Sequence, residues 1–319
     1  MQFNERNDMN YLQNNWRKDV HARLCELLEG ESGVAIFDFD NTCIRGDIGE
    51  LFGYFLVETM RYRYDLEEFW ELVDEADGKA RLRRLTEEAQ GVEPEERERS
   101  EVYGRYLAEM TALYGRRLER LGKRDCYEWA VRLHVGLTPS QMMKWSTEAM
   151  ERCLTTVQRA ESFRTHDGRT VKIERGIRPL LEIRTLIEAL EKAGWQVWVV
   201  SATNMWTVQV AAGLFGLPPE RVLGNRVDVE DGRLTARTGR PVLFREGKCE
   251  IIEEVVGRVP DLVFGDAVTD YEMLCAARRL AVVIDRGDEL LRREAKRRGW
   301  AIQPQNELTS YECEQEKQW

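Results

Sequence analysis

Residues 34–42 read Val34-Ala35-Ile36-Phe37-Asp38-Phe39-Asp40-Asn41-Thr42. The first four form a short apolar run, the mark of a strand buried on both faces. Asp38 and Asp40 stand where that strand should end. Unpaired charge at the end of a buried strand is costly, and a divalent cation beside the two acids removes that cost. The stretch therefore predicts a metal-assisted reaction centre; a solvated Asp-Asn turn is the plainer alternative.

Upstream, Leu12, Trp16, Val20, Leu24 and Leu27 recur at helical spacing, so residues 1–29 are expected to supply a helix that packs on the core. Downstream, residues 47–176 are nearly all helical in pattern. Pro94 opens a long helix whose apolar stripe is Tyr103, Tyr106, Leu107, Met110, Leu113, Tyr114 and Leu118. Residues 162–174, with Asp167-Gly168 at the centre, read as a hairpin. After Gly176 the rhythm alternates. A helix at 180–193 precedes a strand at 195–200 and a helix at 205–215. A hairpin turn at Glu230-Asp231-Gly232-Arg233 comes next. A helix at 248–256, strands ending at 264 and 284, a further helix and a last short strand complete the series. Such alternation predicts an α/β fold, a Rossmann-like doubly wound parallel sheet built from residues 30–46 and 177–305. Residues 47–176 are then an inserted helical cap, and residues 306–319 a frayed tail.

The chain has 319 residues, 43% of them apolar, enough for a substantial core. Its net charge of −10, without a long Lys/Arg cluster, speaks against a nucleic-acid partner. Seven cysteines, an odd number with no Cys-x-x-Cys pair, fit reduced thiols in a cytoplasmic protein. Cys43, Cys249 and Cys275 lie near the motifs but read as core residues rather than nucleophiles. His21, His134 and His166 lack ligand spacing, so zinc is not expected. No apolar signal core opens the chain and no run reaches membrane-spanning length, so a membrane partner is not expected either. Nothing in the pattern specifies an oligomeric state.

In open parallel sheets, ligands bind beyond the carboxyl ends of the strands. There the first strand brings Asp38 and Asp40, and the second brings Ser201-Ala202-Thr203. The third brings Gly265-Asp266-Ala267-Val268-Thr269-Asp270, and Lys248 opens the helix before it. Taken singly, the Ser is a helix cap, the Lys a solvated side chain and the Gly-Asp a turn. Their joint order argues for one site.

With these residues, Asp38-Phe39-Asp40-Asn41-Thr42, Ser201, Lys248 and Asp266-x-x-x-Asp270, the chain resembles the four motifs of the haloacid dehalogenase superfamily, in its phosphatase branch. Residues 225–235 are similar to phosphoserine phosphatase, and the insert after the first motif matches that group's cap placement. Arg45-x-Asp47-x-x-Glu50 and the stretch 129–150, with Gly136-Leu137-Thr138, resemble phosphorylcholine phosphatases instead. Ile44 and Gly46 depart from that pattern, since aromatic residues flank the Arg there. The resemblance covers roughly residues 30–290.

It implies hydrolysis of a small phosphomonoester with Mg²⁺ as cofactor. Asp38 is the expected nucleophile, forming an aspartyl phosphate. Asp40 is the expected general acid, then base. Asp38, Asp266, the backbone carbonyl of Asp40 and, directly or through water, Asp270 are the expected metal ligands. Thr42, Ser201, Ala202 and Lys248 are expected to bind the phosphoryl group. Arg45, Asp47, Glu50 and Trp129 are expected to select the leaving group. The acids there suit an ammonium, phosphorylcholine-like first and phosphoserine second. Phe52, Tyr54, Phe55, Trp70 and Trp145 are further faces for a quaternary ammonium, worth about 0.5–2 kcal/mol each, with core packing as their plainer reading. Asp40 argues against a dehalogenase, whose leaving halide needs no proton. A phosphotransferase and a catalytically silent binding protein on the same fold stand as alternatives. The presence of Asp38, Asp40, Lys248 and Asp266 together argues against the silent one.

Overall fold

The computed structural model describes residues 15–310. In chain order it runs α1 (Lys18–Glu29), β1 (Val34–Phe37), β2 (Ile44–Arg45), α2 (Ile48–Glu58), α3 (Glu67–Glu71), α4 (Lys79–Gln90), α5 (Glu101–Leu121), α6 (Lys123–Arg132) and α7 (Pro139–Thr155). The hairpin β3 (Arg159–Arg164) and β4 (Thr170–Arg175) follows, then β5 (Arg178–Pro179), α8 (Leu181–Lys192), β6 (Gln196–Asn204), α9 (Met205–Ala212) and β7 (Val222–Asn225). The chain continues through β8 (Val227–Glu230), β9 (Arg233–Thr238), α10 (Glu246–Ile251), β10 (Leu262–Gly265), α11 (Tyr271–Cys275), β11 (Leu280–Asp285), α12 (Glu289–Arg298) and β12 (Ala301–Pro304).

These elements form two compact units. The first takes the chain up to Asp47, Ile177–Gly224 and the residues from Leu243 onward; the second takes Ile48–Gly176 and Asn225–Val242.

The first unit is built on a six-stranded sheet in the order β12-β11-β10-β1-β6-β7. β1 pairs in parallel with β10 on one side and β6 on the other, and β11 pairs in parallel with β10 and β12. The chain leaves β1 toward β6 and later returns to β10 on β1's other edge, so β1 lies where the strand order reverses, the position at which such sheets open a crevice. All four β1 residues are fully buried, and Phe37 stacks on Phe264 at 4.7 Å between centroids. Burial of each such large side chain is worth about 1.5–3 kcal/mol. Helices cover the sheet: α8 and α9 pack on β6, α11 on β10, α12 on β11 and β12, and α1 on β12.

Of the expected N-terminal helix, the part before residue 15, Leu12 included, lies outside the described residues. The described part starts at Lys18, with Val20, Leu24 and Leu27 buried. Glu182, fully buried on α8, clasps the two edges of the described chain. Its Oε1 accepts the N–H of Asn15 at 3.2 Å and the hydroxyl of Thr309 at 2.8 Å, and its Oε2 accepts the N–H of Thr309 at 2.8 Å. The Asn15 amide also donates to the Thr309 hydroxyl at 2.9 Å. At the start of the expected tail, Leu308 is buried and Ser310 forms a β-bridge with Leu180, while residues 311–319 of that tail lie outside the described residues.

The second unit is helical apart from two hairpins. The β3–β4 hairpin forms as expected, with Arg164 opposite Thr170. Pro94 does not start the long helix. It opens a 3₁₀ stretch, Pro94–Arg99, and α5 begins afresh where the Ser100 hydroxyl caps the Tyr103 N–H. The reading of residues 177–305 as wholly core is also corrected. The β8–β9 hairpin, with Asp231 and Gly232 both at positive φ in its turn, belongs to the second unit. The reason is backbone pairing. Gly136 N–H donates to Leu234 O and Leu234 N–H donates to Leu137 O, each at 2.8 Å. The Arg132 guanidinium adds a bond to Ala236 O at 2.8 Å.

Candidate active site

Asp38 is placed by the sheet itself, because its N–H donates to Phe264 O at 3.0 Å and continues the β1–β10 ladder. The chain then turns sharply. Phe39 O accepts the N–H groups of Thr42 at 3.2 Å and Cys43 at 2.8 Å. Asn41 takes φ 60°, a left-handed conformation that Asn tolerates, and its Oδ1 accepts the N–H of Gly46 at 3.2 Å. The turn thus brings the Thr42 hydroxyl to Asp38 Oδ2 at 2.9 Å.

Lys248, on α10 and 1% exposed, donates to Asp38 Oδ1 at 2.7 Å and to Asp270 Oδ1 at 2.6 Å. Asp270 Oδ2 accepts the N–H groups of Asp266 and Ala267, each at 3.2 Å. This tight loop requires Gly265, because a Cβ there would stand 2.6 Å from the Asp270 Cβ. Asp266 Oδ2 accepts from the Arg286 guanidinium at 2.9 Å. Asp38, Asp266 and Asp270 each offer a carboxylate oxygen, and these three atoms lie within 4.8 Å of one another.

Burial and the nearby Asp270 charge push Asp38 up to about 6, against the pull of Lys248 and the Thr42 hydroxyl. Burial, Asp38 and Asp270 raise Asp266 well above the carboxylate range, against Arg286. Burial alone would lower Lys248, but Asp270 and Asp38 hold it above its usual value. The site thus crowds more negative charge than its own cations offset. Three converging carboxylates form the donor set of a hard divalent ion with oxygen ligands, and the residues present fit one.

Asp40 lies outside this trio. Its Oδ2 accepts the Thr203 hydroxyl at 2.6 Å and faces the Ser201 hydroxyl at 3.4 Å. The Asp40 carboxylate is not one of the three that converge. The second strand does not stop at residue 200; β6 runs through Asn204, and Asn204 caps α9 by accepting the Thr207 N–H at 3.0 Å. Ser201 is therefore a strand residue and not a helix cap. Its Oγ accepts the Thr203 N–H at 3.1 Å. Ala202 alternates to the other face of the strand.

The expected specificity residues are divided between the two units. Arg45 donates to the carbonyls of Gln305 at 3.2 Å and Leu308 at 3.4 Å, tying β2 to the C-terminal segment. Asp47 is half-buried at the end of the first unit, and Glu50 is exposed in the first turn of α2. Trp129 is a core residue of the second unit, 2% exposed, its indole N–H donating to Leu72 O at 2.7 Å and its ring lying under Arg117. Phe52 and Trp70 are likewise buried, while Phe55 and Trp145 already face the Arg61 guanidinium. Cys43, pushed well above the thiol range by burial, Asp38 and Asp40, is no nucleophile.

Thr203, quoted with Ser201 but given no role, and Arg286, not singled out from the sequence, touch the site acids. Thr203 had a signal, since it lies two residues from Ser201 and period-2 spacing puts both on one strand face. Arg286 had a weaker one, its place just past the end of a parallel strand.

Residues 138–274 match the family model of the haloacid dehalogenase-like hydrolases. That match covers less than half of the chain, which is similar to the family over this span. The phosphoserine phosphatase of Streptomyces coelicolor is 31% identical over 111 residues, 33% of this chain and 27% of that one. The phosphoserine phosphatase of Idiomarina loihiensis is 32% identical over 102 residues, 30% of this chain and 44% of that one. The chain thus spans less than half the length of the curated relatives it matches. Among solved structures, a conserved protein of unknown function from Anaerococcus prevotii shares the fold, with a TM-score of 0.80 and 22% identity over 91% of this chain and 92% of that one. No helix among the described residues is long and apolar enough to cross a membrane.

Proposed function

We propose that the first unit hydrolyses a small phosphomonoester through an aspartyl-phosphate intermediate, with Mg²⁺ as the cation. The convergence of Asp38, Asp266 and Asp270, with Lys248 between two of them, carries this reading. Asp38, Asp266 and Asp270 would hold the ion, and its charge would lower the repulsion between phosphate and carboxylate.

The remaining steps belong to side chains. Lys248 and Thr42 fix the Asp38 carboxylate, which bonds to phosphorus as the ester P–O bond breaks. Asp40, two residues on and held by Thr203, protonates the departing oxygen. It then takes a proton from the water that cleaves the acyl phosphate. Lys248 and the hydroxyl of Ser201 supply charge and hydrogen bonding for the transferring group.

A phosphoserine-like substrate is favoured over a choline-like one. The curated relatives support it, and Trp129 is committed to the core of its own unit. The test is phosphate release from phosphoserine, phosphorylcholine, phosphoethanolamine and sugar phosphates, with Mg²⁺ and after chelation. We expect cation-dependent release, fastest from an amine-bearing ester. Release that survives chelation discards the mechanism, and a preference for sugar phosphates discards the substrate class. Adding alcohol acceptors separates hydrolysis from phosphotransfer.

A further inference from the structure

We infer that Arg286 is a positioning residue for the cation site, holding Asp266 as a metal ligand from the neighbouring strand. The inference rests on the proposed reading of the three carboxylates.

The trio is not served evenly. Lys248 reaches Asp38 and Asp270, and the cation that pairs with Asp266 is Arg286, on its Oδ2 at 2.9 Å. Asp270 already has both oxygens engaged, one by Lys248 and one by two backbone N–H groups. Among the described residues Asp266 has a single hydrogen-bonded oxygen, Oδ2. A guanidinium on that oxygen orients the carboxyl plane and leaves Oδ1 for a cation. Partners of this kind around metal ligands commonly set affinity by 10–100-fold.

The backbone delivers Arg286 to this position. β11 runs beside β10 with Gly265 opposite Val283, so Asp266 and Arg286 emerge from adjacent strand ends. The turn that follows is fastened on both sides. Asp285 Oδ1 accepts the Gly287 N–H at 2.9 Å, and the same carboxylate pairs with Arg292 at 2.8 Å. Asp288 caps α12 through the N–H groups of Leu290 and Leu291, at 2.9 and 3.0 Å. Gly287, at φ 102°, permits the turn between them. The Arg286 side chain is itself about half exposed, at 45%, so it can be removed without opening the core.

Calorimetric titration of the whole chain with Mg²⁺ alone, and with Mn²⁺ alone, tests this role. Arg286→Ala should weaken binding of both ions at least about 10-fold, and Arg286→Lys should recover part of the loss. Without divalent ions Arg286→Ala should still unfold cooperatively, at a temperature lowered by the loss of the Asp266 partner, and the weaker ion binding should persist well below that transition, which separates positioning from loss of the fold. Binding by Arg286→Ala as tight as in the unsubstituted chain, or tighter, overturns the assignment of Arg286 while the cation site stands. Failure of the unsubstituted chain to bind either ion overturns both the assignment and the reading beneath it.

Discussion

Asp266 in the first unit and Glu109 in the second are both shielded from solvent, 7% and 2% exposed, yet their carboxyls shift in opposite directions. Burial raises Asp266, Asp38 and Asp270 raise it further, and Arg286 does not offset them. Burial alone would raise Glu109 too. There the backbone N–H and the ring of His166, with Arg81 and Arg116, outweigh it and hold the carboxyl below its usual range. These groups stand at 2.8, 2.9, 3.0 and 3.1 Å from the Glu109 oxygens. Asp77 in the second unit is likewise met by Arg120 at 2.7 Å and Arg117 at 3.7 Å. Buried charge in the second unit is matched locally and holds structure. At the Asp38, Asp266 and Asp270 trio of the first unit it is left in excess, and that excess is the mark of a site built for something to enter.

The contrast is broken most severely at Asp38. Asp38→Asn should cut hydrolysis of an aryl phosphate by at least about 10⁴-fold. The same change should raise the stability of the cation-free protein by roughly 1–3 kcal/mol. The sign follows from the raised carboxyl: between pH 3.8 and about 6 the folded state holds a proton that the unfolded state releases, so ionised Asp38 costs stability at neutral pH. Urea unfolding in chelator measures this, and a loss of stability would contradict the charge excess.

Lys248→Met should act in the other direction, lowering cation-free stability by about 3–5 kcal/mol, because it leaves two buried carboxylates without their shared cation. Glu109→Gln should cost about 2–4 kcal/mol through the guanidiniums left behind. Turnover at low temperature should survive that change, which separates the two kinds of buried charge by their effect on catalysis.

A pH series sharpens the comparison. His134 is 4% exposed, its Nδ1 sits 3.0 Å from Val131 O, and burial lowers its pKa from 6.5 to about 4. The ring stays neutral in the fold while the unfolded ring protonates near 6.5. Its contribution is therefore complete above that pH and falls away toward pH 4, by about 3 kcal/mol. His134→Phe should flatten this acid slope in denaturant titrations. The smallest effect belongs to Trp129→Phe. Loss of the indole bond to Leu72 should cost about 1 kcal/mol, with KM unchanged; a several-fold rise in KM would return Trp129 to the substrate.

The sheet and its acids were legible because both follow local rules. Four apolar residues ending in two acids describe β1, and strand-ends spaced along the chain describe the rest. Lys248 and Asp270 were legible by motif, although no pattern announces that one amine bridges two carboxylates 210 and 22 residues away. What escaped was set by tertiary competition. Ser201 resembled a helix cap until β6 continued to Asn204. The 225–242 hairpin resembled core sequence, and its allegiance was decided by backbone bonds to Gly136 and Leu137. Trp129 offered a cation-binding face by residue type, but packing claimed that face for Arg117.

The clasp at Glu182 has a topological consequence. Asn15 and Thr309 meet on one carboxylate and bond to each other at 2.9 Å, and Arg17 pairs with Glu307 at 3.2 Å beside them, so the described chain of the first unit is nearly a closed ring whose seam is held without a covalent bond. A short peptide joining Asn15 to Ser310, in place of the residues before and after them, would make the ring covalent at little entropic cost. The chain could then be reopened elsewhere, at the exposed tip of the β3–β4 hairpin for instance, with its order of elements rotated and its sheet unchanged.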